Sequence, residues 1–138
     1  MPDSDFISQN SRFFENLLEH RFLFELAKHL VKLKPPRLLN ILKTEVDNFG
    51  VDLVLSLDEI TWYLQMKTRS GSPTGAPYPI SEKIWAQPHG GVIWVLYDQK
   101  TFDPTDYYFL DCSRSSMANF PVARRPRDGK ERDGFRAV

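Results

Sequence analysis

The sequence has a single cysteine, Cys112, so no intramolecular disulfide can staple it, which fits a reducing compartment. Cys112 has no partner motif and reads as a packing residue at a strand end rather than a nucleophile. Charge of one sign is also lacking. Eighteen Lys and Arg balance eighteen Asp and Glu, so no global field marks a surface for polyanions or membranes. No apolar run is long enough to span a bilayer and no signal peptide is evident, so a cytoplasmic protein with no membrane partner is expected. His20, His29 and His89 lack zinc-site spacing, and there is no internal repeat.

What is present suits one domain with a real core, since 41% of the 138 residues are hydrophobic. The expected division is a polar N-terminal segment over 1–11, a single domain over 12–120 and a basic, flexible tail over 121–138. The tail carries six basic and three acidic side chains with no apolar period. From Arg12 to Leu33 there is no Gly or Pro, which predicts a long helix ending before Pro35. Its buried stripe reads Glu19, Phe22, Leu23, Leu26, Leu30, Leu33. A carboxylate in that stripe is costly unless paired, hydrogen-bonded or metal-bound. A second apolar line, Phe13, Leu17, Phe24 and Val31, runs along the other side and needs a cover. Either the C-terminal segment folds back over it, or it forms a homodimer interface.

Arg37 to Lys43 reads as a first strand. From Asn48 to Arg69 two runs alternate in period two around Asp58-Glu59. A two-residue loop there pairs Leu57 with Ile60 and, counting back, sets Asp52 opposite Gln65, with side chains roughly 5 Å apart. Lys67 lies two residues further on the same face, and Gly50 lets the backbone bend or approach a neighbour just before Asp52. The Ser/Gly/Pro-rich stretch after Arg69 reads as a loop that could cover this site. Ser81 caps a short helix over 81–87, and strands follow at Val92 to Tyr97 and Tyr107 to Leu110. Trp62, Trp85 and Trp94 fall on positions that suit core packing.

The order helix, three strands, helix, strands, with Glu19-His20-Arg21-Phe22-Leu23-Phe24-Glu25-Leu26 on the helix, Gly50-Val51-Asp52 on the second strand and Gln65-Met66-Lys67 on the third, resembles the PD-(D/E)XK nuclease superfamily. The resemblance covers about Arg12 to Cys112. It implies an α/β fold with an αβββαβ restriction-endonuclease-like core, a central mixed sheet flanked by helices, and a Mg²⁺- or Mn²⁺-dependent endonuclease acting on DNA. By the same resemblance Asp52 is the principal metal ligand, Gln65 offers its oxygen in place of the usual acid, Lys67 positions or activates the attacking water, and Glu19 is the helix carboxylate.

The chemistry of the residue types agrees with those roles. Phosphodiester hydrolysis needs charge neutralisation and a nucleophile near neutral pH, and an oxygen-bound divalent cation supplies both. An amide at Gln65 carries one charge fewer than a carboxylate, which lowers metal affinity unless Glu19 or the substrate compensates. The competing expectation is a catalytically weak nuclease-fold module for protein or nucleic-acid binding. In that case Asp52 accepts backbone N–H groups at a strand start and Lys67 reaches solvent from the sheet.

Overall fold

In the computed structural model, which describes residues 2–43, 50–71, 79–116, 122–124 and 131–137, the chain begins with two consecutive helices, α1 (Ser4–Gln9) and α2 (Ser11–Val31). The sequence alone leaves 1–11 as a polar segment. Within it, Asp3 accepts a hydrogen bond from the Phe6 N–H at 2.9 Å and so caps a first turn. Ile7 then buries, and the Phe6 ring meets Phe14 edge-on at 6.2 Å. The long helix forms where expected. It buries Phe14, Leu18, Glu19, Leu23 and Leu30 on one face, with Phe22 and Leu26 half-buried beside them.

Beyond α2 come β1 (Asn40–Lys43), β2 (Leu53–Leu57), β3 (Ile60–Ser70), β4 (Pro79–Ser81), α3 (Glu82–Trp85), β5 (Gly90–Tyr97) and β6 (Pro104–Asp111). A 3₁₀ turn over Cys112–Arg114 then leads to β7 (Val122–Arg124) and β8 (Glu131–Ala137). Five strands make a mixed sheet in the order β1-β2-β3-β5-β6, antiparallel except where β3 runs parallel to β5. The protein is thus a mixed α/β domain with a five-stranded mixed sheet. Leu18 and Leu23 of α2 pack on Leu53, Leu55, Leu64, Ile93 and Val95. On the opposite face Val92 packs with Val51, Ile80, Ile84 and Cys112.

Three expected elements differ in extent. β1 covers only the last four residues of its predicted run, because Asn40 already pairs with Ser56 and the partner strand turns away after Leu57. The helix expected over 81–87 is the four-residue α3, which the Ser81 hydroxyl caps by accepting the Lys83 N–H at 3.3 Å. Within the C-terminal segment, expected to be irregular, β7 and β8 join β4 in a second sheet ordered β4-β8-β7. Backbone pairing by itself needs no apolar alternation, which is why the sequence pattern does not announce it. β8 lies beside α3 and β4. The described C-terminal strands therefore belong to the α3 side and are not a cover for the outer line of α2.

Candidate functional site

The hairpin from β2 to β3 builds the site. Leu57 pairs with Ile60 across Asp58-Glu59, as the period-two count requires, and the ladder continues through Leu53 opposite Leu64. No Gly is present in the turn. Asp58 itself takes the left-handed conformation, at φ 56°, which Asp tolerates better than most residues, and the Arg37 guanidinium pairs with its carboxylate. The Ser56 and Thr61 hydroxyls hydrogen-bond across the next pair at 2.8 Å.

At Asp52 the ladder changes. The strand proper begins one residue later, at Leu53, and the Asp52 N–H donates to the Leu64 carbonyl at 2.8 Å. Its carboxylate Oδ2 accepts the Met66 N–H at 2.7 Å. A carboxylate thus takes a β3 donor that a continuing β2 would have bonded through its backbone. The group sits at the seam between strands, beside the residue flanked by Gln65 and Lys67. Charge-assisted bonds of this kind are among the stronger ones and fix the carboxylate in place.

Gln65 is 3% exposed. Its Oε1 accepts the Ser81 N–H at a long 3.4 Å, so the amide ties β3 to the start of α3. Gly50 completes this contact. It has φ 71°, and a Cβ there would lie 2.5 Å from Ser81 Cβ and 3.6 Å from Gln65 Nε2. The backbone before Asp52 therefore reaches Gln65 and Ser81 because residue 50 has no side chain. Lys67 alternates to the same face as Gln65 and lies next to Trp94 in the parallel β3–β5 register.

Glu19 is brought to a different part of the sheet. It is buried on α2, and its Oε1 lies 2.8 Å from Lys43 Nζ in an ion pair whose angles are not those of a hydrogen bond. Lys43 is opposite Leu53, whose side chain packs under α2, so this pair belongs to the α2 side of the sheet. Sequence reasoning flagged Glu19 as needing a partner but did not find Lys43, because the two meet only through the docking of a helix on an edge strand. Burial of the Cys112 thiol pushes its pKa up to about 12, with the Asp111 charge adding to the rise, so the cysteine is kept as a thiol and is no nucleophile at neutral pH.

Asp52, Gln65 and Glu19 present hard oxygen donors of the type Mg²⁺ and Mn²⁺ take. Asp52 and Gln65 come from adjoining strands, where Asp52 Oδ2 accepts the Met66 N–H and Gln65 Oε1 the Ser81 N–H, while Glu19 is engaged by Lys43. Among the described residues, no group of three or more His, Cys, Asp and Glu side chains converges as a ligand set. No described helix is long and apolar enough to cross a membrane. In comparisons with protein-family models and with curated proteins, nothing matches this chain.

Proposed function

We propose that this chain is a nuclease-like protein with an αβββαβ restriction-endonuclease-like core that hydrolyses DNA phosphodiester bonds with Mg²⁺ or Mn²⁺. The observation that carries the reading is the 2.7 Å bond from the Met66 N–H to the Asp52 carboxylate, which fixes an anionic oxygen beside the Gln65-x-Lys67 pair. Asp52 and Gln65 would hold the cation, which supplies charge neutralisation and an acidified water. Lys67, a flexible cation with three donors, would hold the scissile phosphate or orient the attacking water at Nζ. Glu19 supports the arrangement from the α2 side rather than as a ligand in the present geometry.

The test incubates the protein with duplex, branched and single-stranded DNA and with RNA, in Mg²⁺ and in Mn²⁺, beside Asp52→Asn and Lys67→Ala variants. Asp52→Asn removes the charge while keeping an acceptor for the Met66 N–H. Both variants are expected to lose cleavage by about 100-fold or more. Cleavage undiminished in both would sink the assignment.

A second reading is favoured by one observation, the hydrogen bond that occupies Gln65 Oε1. An amide that serves to join β3 to α3 is a poor cation ligand, and a non-catalytic nuclease-fold module keeps the contact for structural reasons. Titration calorimetry with Mn²⁺ separates the two. Heat of binding that disappears in Asp52→Asn supports the enzyme, whereas no binding at millimolar metal supports the module.

A further inference from the structure

We infer that the outer face of α2 is the contact surface of an antiparallel homodimer, in which α2 of one copy lies along α2 of a second. This holds whether or not the chain cuts nucleic acid. Phe13, Leu17, Phe24 and Val31 are 61, 43, 60 and 50% exposed. Together with His20 and Ala27 they fall at alternating spacings of four and three residues, the period of a coiled-coil seam. This seam lies roughly 120° around the helix from the mean direction of Leu18, Leu23 and Leu30, which carry the other face into the core, with Leu23 and Leu30 along one of its flanks. A solvated helix has no use for a second stripe of this length.

The occupant follows from what the fold leaves and from the stripe's own shape. The described C-terminal strands are committed to β4 on the other side of the molecule, so they do not supply the cover. α2 carries three Lys or Arg and three Glu, so the stripe lacks the cationic rim that an anionic bilayer would select. A two-fold axis passing beside residue 22 makes the stripe complementary to itself. Phe13 then meets Val31 of the second copy, Leu17 meets Ala27, and Phe24 meets His20, so each larger side chain faces a smaller or flatter one. Lys28, whose ammonium lies 5.6 Å from the Phe24 ring centroid, would close the edge of the central contact.

The area is adequate and no more. The four large side chains leave roughly 400 Å² exposed per copy, and a paired stripe with its flanks passes about 1,000 Å² in total, the lower bound for a specific interface. A weak, concentration-dependent dimer is therefore expected.

Sedimentation velocity of the full chain over a concentration series should show a monomer–dimer equilibrium. Phe24→Glu, at an exposed position, should weaken it by at least about 30-fold while leaving the circular dichroism spectrum unchanged. Register is tested by cysteine pairing. An equimolar mixture of Leu17→Cys and Ala27→Cys chains should form a disulfide-linked heterodimer under mild oxidation, and neither chain alone should crosslink efficiently. A monomer at every concentration overturns the proposal, as does a dimer indifferent to Phe24→Glu. Crosslinking of Leu17→Cys with itself overturns the antiparallel arrangement, and a monomer that binds lipid vesicles through this stripe assigns the face to a membrane instead.

Discussion

On one side of the central sheet a 21-residue helix lays Leu18 and Leu23 across Leu53, Leu55, Leu64, Ile93 and Val95; on the other, a four-residue helix and a short three-stranded sheet cover Val92 with Ile80 and Ile84. The long helix satisfies its own backbone over most of its length, so the face beneath it can be almost wholly apolar. Its one buried charge, Glu19, is answered from outside the helix by Lys43. The short elements have proportionally more ends, and each end carries donors that need acceptors. Buried Gln65 and Ser81 occur on that side for this reason, the first accepting from the backbone of the second and the second capping α3. Polar side chains concentrate where cover is short, and the candidate site lies along that margin.

The largest expected effect breaks the short side first. A Cβ at Gly90 would run into the Ile84 carbonyl oxygen, which is backbone and cannot rotate away. Gly90→Ala should therefore lift α3 off the sheet and cost about 3 kcal/mol or more, read as a lowered urea midpoint. An unchanged midpoint would mean that α3 is free to shift.

A smaller loss is expected on the long side. Lys43→Met leaves the Glu19 carboxylate buried without its cation, and because the Lys43 side chain is 44% exposed the cost should be about 1–2 kcal/mol, below that of a fully buried pair. Glu19→Gln in the same chain should recover part of it, and a double-mutant cycle in thermal unfolding measures the coupling. Additive effects would show that the pair contributes nothing.

The last effect, absent at neutral pH, is a pH dependence on the short side. The folded state holds the Cys112 thiol protonated, its pKa raised from 9.0 to about 12. That contribution is complete below pH 9.0 and is lost as pH rises from there towards 12, because the unfolded chain releases its proton first. Stability of the wild type should fall more steeply over that interval than stability of Cys112→Ala, measured by urea titration at stepped pH.

Elements governed by local rules were legible in the sequence. The register of Leu57 with Ile60 follows from two alternating runs and the length of the turn between them, and the span of α2 from an absence of Gly and Pro. Gly50 was legible as a bend or close approach, though the neighbour it approaches was not. Contacts across the fold were hidden. Lys43 meets Glu19, and Ser81 meets Gln65, only through the packing of separate elements, which no spacing encodes. Asp52 shows a subtler limit. Counting pairs placed it opposite Gln65, but its own carboxylate competes with the backbone for the Met66 N–H, and side chains that mimic a strand end local pairing. α1 and β8 were missed because one rests on a single cap and two apolar residues, and the other on backbone pairing without a pattern.

The parallel pairing of β3 with β5 also divides the folding of the sheet in time. The meander β1-β2-β3 and the hairpin β5-β6 each close through neighbours in sequence, whereas joining them brings Tyr63 to Gly90 across a crossover. Contacts between near neighbours form in microseconds, and non-local strand pairing is the slow step. Asp52 reaches Met66 within the first unit, but Gln65 receives Ser81 from the crossover that follows it in the chain. A nascent chain therefore holds its anionic group in place before the amide beside it has been locked.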